Sequence, residues 1–254
     1  MRKAVIGAVL TGALALTGSV LTVAPASAET GVVIEKLSVN GGKPIVFGTS
    51  RTESFTISVT ASDDSGISSD MAFLGIDREK GEDYWSYHGA PTCTASSATT
   101  STCKLTVKLD PDIDLPRNTL AGPWDVTVQL QAKDGDFYNN GGAPKHPVQR
   151  RSTLSVDASP EPVYKGKTLT VKGKLARANW DKYVYAGYAY QYAKLQFRPA
   201  GSSSYTTVKT VKADVYGKLS TTVTASADGY WRWNFAGTST TPAVKATGDF
   251  VDVR

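Results

Sequence analysis

Two acidic turns are the stretches best equipped for chemistry. Ala61-Ser62-Asp63-Asp64-Ser65-Gly66 and Ala132-Lys133-Asp134-Gly135-Asp136 each place two carboxylates within a few residues of a glycine. Asn139 and Asn140 add side-chain oxygens just after the second turn, and Asp70 is a more distant candidate. Calcium takes six to eight oxygen ligands from carboxylates, carbonyls and water, so Asp63, Asp64, Asp134 and Asp136 can serve it if the fold joins the turns. The pattern is not an EF-hand. The twelfth position counted from Asp134 is Lys145, where a bidentate Glu is required, and Gly135 does not fall at the sixth. The plain structural reading is two ordinary β-turns, which Asp favours because its side chain bonds to nearby backbone.

Aromatic and basic residues form the second candidate. Residues 153–254 hold Trp180, Trp231, Trp233 and nine tyrosines, among them Tyr183, Tyr185, Tyr188, Tyr190 and Tyr192. Exposed aromatic faces stack sugars, and a basic surface attracts anionic cell-wall polymers. The competing reading is packing: Trp231, Trp233 and Phe235 alternate as a buried strand face would, and paired tyrosines stabilise a sheet across strands. Nucleic acid is not expected as a partner, and an extracellular protein is a further candidate.

Catalytic motifs are absent. His88 and His146 are the only histidines. The sequence holds no Gly-x-Ser-x-Gly, no His-Glu-x-x-His and no phosphate loop. His88 lies in an aromatic, loop-like stretch and His146 beside Pro147, so both are read as exposed loop residues. The chain is expected not to be an enzyme.

These residues need a scaffold, and the composition indicates strands. The sequence is rich in Thr, Val, Ser, Gly and Tyr, which suit strands and turns, and no segment keeps apolar residues at helical spacing. Phe55, Ile57, Val59 and Ala61 alternate with polar residues. So do Cys103, Leu105, Val107 and Leu109, and Trp124, Val126, Val128, Leu130 and Ala132. Period-two alternation marks strands with one buried face. Met71–Asp77 reads as a short strand, Asp77–Gly81 as a turn, and Asp110–Pro116 as an irregular connection. Later, Leu169, Val171, Gly173 and Leu175 alternate, as do Leu219, Thr221, Val223 and Ala225.

The N-terminus reads as a secretory leader. Arg2 and Lys3 precede an apolar run, and Ala26-Ser27-Ala28 is a small-residue cleavage site. Cleavage after Ala28 yields a secreted, extracellular protein, and no other long apolar run predicts a transmembrane segment in the mature chain. Cys93 and Cys103, the only cysteines, are then expected to form a disulfide. Its short loop contributes about 2–3 kcal/mol.

Charge divides the mature chain. Residues 29–152 carry 12 basic and 16 acidic residues, net −4, and residues 153–254 carry 14 basic and 7 acidic, net +7. The sign change supports two domains, 29–152 and 153–254, after the leader 1–28. Leu154–Asp157 reads as the opening strand of the second, with Pro160-Glu161-Pro162 as a break before the chain rejoins at Val163. That leaves almost no flexible linker.

The strand-end turns "A-x-D-x-x-G-I" and "A-x-D-G" of the first half resemble the bacterial immunoglobulin-like plan. From Gly166 to Val253 the chain is similar to an exported bacterial immunoglobulin-like module. The resemblance rests on Gly166–Leu175, Leu195–Ser202, Gly217–Val223, Asp228-Gly229-Tyr230-Trp231-Arg232 and Phe235-Ala236-Gly237-Thr238. Together the halves resemble small exported two-domain proteins of high-GC Gram-positive bacteria, some labelled calcium-binding. This implies an all-β fold of two tandem immunoglobulin-like β-sandwiches and a binding or structural role. Such sandwiches host many roles, so the resemblance implies fold more strongly than function.

Overall fold

The computed structural model describes residues 31–142 and 144–254. The expected leader and its cleavage site lie outside them. Among the described residues no helix is long and apolar enough to cross a membrane.

The chain forms two tandem immunoglobulin-like β-sandwiches. The first is built from β1 (Val33–Val39), β2 (Ile45–Phe47), β3 (Glu53–Ser62), β4 (Phe73–Lys80), β5 (Asp83–Gly89), β6 (Thr92–Ala95), β7 (Thr100–Leu109), β8 (Gly122–Gln131), β9 (Phe137–Asn139) and β10 (Lys145–Arg150). One sheet has the order β1-β3-β7-β6. The other runs β2-β10-β8-β4-β5, with β9 added to β8. The alternating residues of β3 and β8 meet between the sheets. Phe55, Ile57, Val59 and Ala61 are buried from one side, and Trp124, Val126, Val128 and Leu130 from the other. Trp124 donates its indole N–H to the Leu120 carbonyl at 2.7 Å, so its ring is buried without an orphaned donor. Cys93 and Cys103 face each other on β6 and β7 and are bonded.

The second sandwich holds β11 (Ser152–Leu154), β12 (Asp157–Ser159), β13 (Thr168–Asn179), β14 (Val184–Gly187), β15 (Tyr192–Pro199), β16 (Thr206–Lys212), β17 (Lys218–Thr224), β18 (Gly229–Phe235), β19 (Val244–Lys245) and β20 (Asp249–Val251). β13 is the spine of one sheet. It takes β11 and β12 along one edge and β14 and β17 along the other. The second sheet runs β16-β15-β18-β19, with β20 also on β18. Trp231, Trp233 and Phe235 are core, as their shared face predicts.

Several expectations need correction. Asp77–Gly81 is not a turn throughout: β4 continues to Lys80, with Asp77 opposite Ser86 and Lys80 opposite Asp83. Asp110–Pro116 contains a short helix, α1 (Pro111–Asp114). The opening strand of the second sandwich is split into β11 and β12 along the same edge of β13. After Pro160-Glu161-Pro162, Val163 does rejoin, bridging in parallel to Val253.

The largest departure is Trp180. It offers no face to solvent, being 0% exposed and buried in the core of the first sandwich together with Ala178. Along β13 the buried positions are first Leu169, Val171 and Leu175, then Ala176 and Ala178, and the series continues to Trp180 just past the strand's end. The change of parity turns the end of the strand toward the other unit. Trp180 donates its indole N–H to the Gly48 carbonyl at 2.9 Å. The Asn118 carboxamide oxygen accepts from the Trp180 backbone N–H at 2.9 Å and from Arg150. Arg151 joins the units by its backbone: its N–H donates to Phe47 and its carbonyl accepts from Ala178. Burial, with Arg177 nearby, pulls the Arg150 guanidinium down to about 10, still a cation at neutral pH.

Both histidines lie on strands. His88, on β5, has Nε2 3.7 Å from Asp77. His146, on β10, is buried rather than exposed, because its Nε2 reaches the Lys43 carbonyl at 3.0 Å. A carbonyl only accepts, so Nε2 carries the proton. Burial lowers the His146 pKa below its ordinary 6.5, against the opposing pull of that carbonyl. The unfolded chain therefore binds more protons than the folded one between the two values. Stability is expected to fall as pH drops through 6.5 toward the folded value. Melting temperatures of the wild type and His146→Gln, followed from about pH 8 to 5, check this. The wild type should lose more on acidification than the variant.

Candidate metal centre

Two strands that run toward the same end of the first sandwich deliver the acidic turns. β3 ends at Ser62 and passes directly into Asp63. β8 ends at Gln131 and leads into Lys133–Asp136. An antiparallel bridge between Ile67 and Ala132 fastens the turns together, and Lys133 N–H donates to the Gly66 carbonyl at 2.9 Å. Gly135 has φ 109, the left-handed side of the backbone map that glycine tolerates, and this lets the second turn close. The junction with the second sandwich lies at the opposite end, where β3 begins at Glu53 and β8 at Gly122.

Parity along β3 explains which carboxylate is inside. Phe55, Ile57, Val59 and Ala61 point into the core, and Asp63 continues the series at only 3% exposed. Its Oδ1 accepts from the backbone N–H and the hydroxyl of Ser65, at 2.9 and 2.7 Å. Its Oδ2 is buried and, among the described residues, has no hydrogen-bond partner. The Ser65 hydroxyl also accepts from the Asp134 N–H at 3.2 Å, which ties one turn to the other. Asp134 Oδ1 in turn accepts from the Asp136 N–H at 3.2 Å.

Asp63, Asp134 and Asp136 come together. Each offers a carboxylate oxygen, and these lie within 4.8 Å of one another. Asp64 is exposed and outside this group, because the chain turns at Asp64-Ser65, with the Gly66 N–H donating back to the Asp63 carbonyl, and leaves its side chain in solvent. Asn140 is committed elsewhere: its amide donates to the Val126 carbonyl and its oxygen accepts from Val128 and Gly142. Asn139 accepts from the Gly141 N–H. Asp70 is exposed, with Ser69 as its hydrogen-bond donor. No Lys or Arg among the described residues makes an ion pair with the three carboxylates.

A buried carboxylate oxygen without a donor costs more than the roughly 1–3 kcal/mol of a neutral orphan. Two further carboxylates beside it add repulsion. A hard cation relieves both. The donors are all oxygen, which disfavours zinc, and they stand on turns rather than on a rigid frame, which suits calcium better than magnesium. Three carboxylates leave positions for water or carbonyl oxygen.

The five tyrosines do not form one row. Tyr183, Tyr185, Tyr190 and Tyr192 are exposed. Tyr188 instead packs edge-on against Phe235, at 5.7 Å between centroids, under the Arg177 guanidinium at 3.8 Å. Lys212 stands over Tyr190 and Tyr192, at 5.4 and 5.9 Å.

No protein-family model and no curated protein matches the chain. Solved structures overlap with it weakly. A protein of Corynebacterium diphtheriae described as membrane anchored is 13% identical, with a TM-score of 0.31, over 85% of this chain and 53% of that one. This chain thus spans about half the length of that protein. The D00–D0 domains of intimin are 14% identical with a TM-score of 0.29, over 85% of this chain and 99% of theirs. The D0–D1 domains of intimin are also 14% identical with a TM-score of 0.29, over 86% and 98%. These overlaps are too slight to carry function across.

Proposed function

We propose that this is a secreted, non-enzymatic binding or structural protein whose first sandwich holds calcium at its tip. Asp63, Asp134 and Asp136 are the protein ligands, and Asp64 is not. The observation that carries this reading is the Oδ2 of Asp63, buried and unpartnered among the described residues, beside two more carboxylates. Calcium there clamps two turns that come from different sheets. The chemistry is structural: it holds a loop end in one shape and presents it outside the cell.

Calorimetric titration of calcium into the full chain, after chelator treatment, tests this. Binding with a Kd on the order of 0.1–1 mM is expected, the range of extracellular calcium modules. Magnesium should bind more weakly. Absence of heat together with an unchanged melting temperature in millimolar calcium would sink the reading.

A further inference from the structure

The outer face of the β16-β15-β18-β19 sheet is a second candidate surface, unrelated to the calcium reading. Inward positions of β15 and β18 fill the core with Leu195, Trp231 and Trp233. The cross-strand register places Lys194, Arg198, Arg232, Lys212 and Lys245 on the other side. The outward positions of these strands carry no Asp or Glu. Such a face attracts anions along its whole length, about 20 Å from Tyr192 to Arg198 at strand rise.

The arginines are held in place. Arg232 stacks over the Tyr205 ring at 3.6 Å, and Arg198 reaches the same ring at 5.3 Å while lying over Tyr230 at 4.0 Å. Arg232 Nε donates to Gln196 at 2.9 Å, and Arg198 donates to the Ser202 carbonyl at 2.6 Å. Among the described residues neither pairs with a carboxylate. Two like charges are thus brought to one ring with no counter-charge, and with side-chain freedom already surrendered. A bound anion relieves that repulsion.

The stacking also selects the ligand. Rings covered by guanidinium groups are not free platforms for bases or neutral sugar rings, which need an open aromatic face. A tetrahedral phosphate can take donors from two cations on different strands, whereas a planar carboxylate best matches one guanidinium fork. We infer that this face binds a linear phosphodiester polymer of the cell surface, with Arg198 and Arg232 on one phosphate and Lys194 and Lys212 following the chain.

The test uses the full chain and poly(glycerol phosphate) as probe. Binding at low salt that weakens steeply as salt rises is expected. Arg198→Gln with Arg232→Gln should lower affinity about tenfold or more, the effect of roughly one charge-assisted contact. Tyr205→Leu leaves the charge unchanged but removes the ring that brings the two guanidiniums together, and should lower affinity several-fold. Lys36→Gln with Lys104→Gln, on the first sandwich, removes equal charge and should change little. Melting temperatures establish that each variant is folded. The inference is overturned if the folded double-arginine variant binds like the wild type. Equal losses in the Lys36/Lys104 control, or tighter binding of alginate or a single-stranded oligonucleotide, would also overturn it.

Discussion

Replacing Trp180 with alanine is expected to destabilise the protein by about 3–5 kcal/mol, the usual cost of removing a buried aromatic ring. The ring is wholly enclosed in the first sandwich although its strand belongs to the second. Two effects should therefore appear together. A cavity opens in one core, and the clasp between the units loosens. Denaturant unfolding followed by circular dichroism should show a lower midpoint and a transition separating into two. Small-angle scattering should show a broader distribution of shapes. Trp180→Phe fills most of the space but leaves the Gly48 carbonyl without its donor, so about 1–3 kcal/mol is expected. An alanine variant within about 1 kcal/mol of the wild type would place the strength of the junction elsewhere.

Asp63→Asn should reverse the sign of its effect with calcium. In chelator the substitution removes one of three clustered negative charges, and the new amide can donate toward Asp134 or Asp136. The apo variant should be as stable as the wild type or more so. In calcium the wild type gains about 2.7 kcal/mol at a hundred times its Kd, and the variant gains little. Asp64→Asn, on an exposed neighbour outside the cluster, should keep the full calcium response. Thermal melts of the three proteins with and without calcium give the comparison. If Asp63→Asn keeps the wild-type calcium shift, the metal is not at this turn.

Much of the fold is legible because alternation is local. Phe55 to Ala61 and Trp124 to Leu130 reveal their buried faces without knowledge of any partner strand. The same rule, carried one step past β3, would have chosen Asp63 over Asp64. Trp180 escapes it for physical reasons. The buried parity changes after Leu175, the intervening Ala176 and Ala178 are too small to mark a face, and the partners that receive the ring and its backbone, Gly48 and Asn118, lie 132 and 62 positions earlier. Arg198 and Arg232 are invisible for a related reason. What unites them is cross-strand register through Tyr205, whereas the dense run Tyr183–Tyr192 draws the eye and turns out to be divided between surface and core. His146 was misleading because a His-Pro step suggests a loop, yet β10 keeps it within a sheet.

The pairing of β10 with β2 has a mechanical consequence. The two strands are parallel, Val148 opposite Ile45 and Arg150 opposite Phe47. Beyond Arg150 the chain passes into the second sandwich through Arg151, with no slack. At the far end the chain enters through β1, which lies along β3. Tension applied across the molecule then pulls these strands along their own axes. Their hydrogen bonds are loaded in shear and must fail together, rather than unzip one by one. Along this path the first sandwich should resist extension more than a hairpin peeled open from one end would.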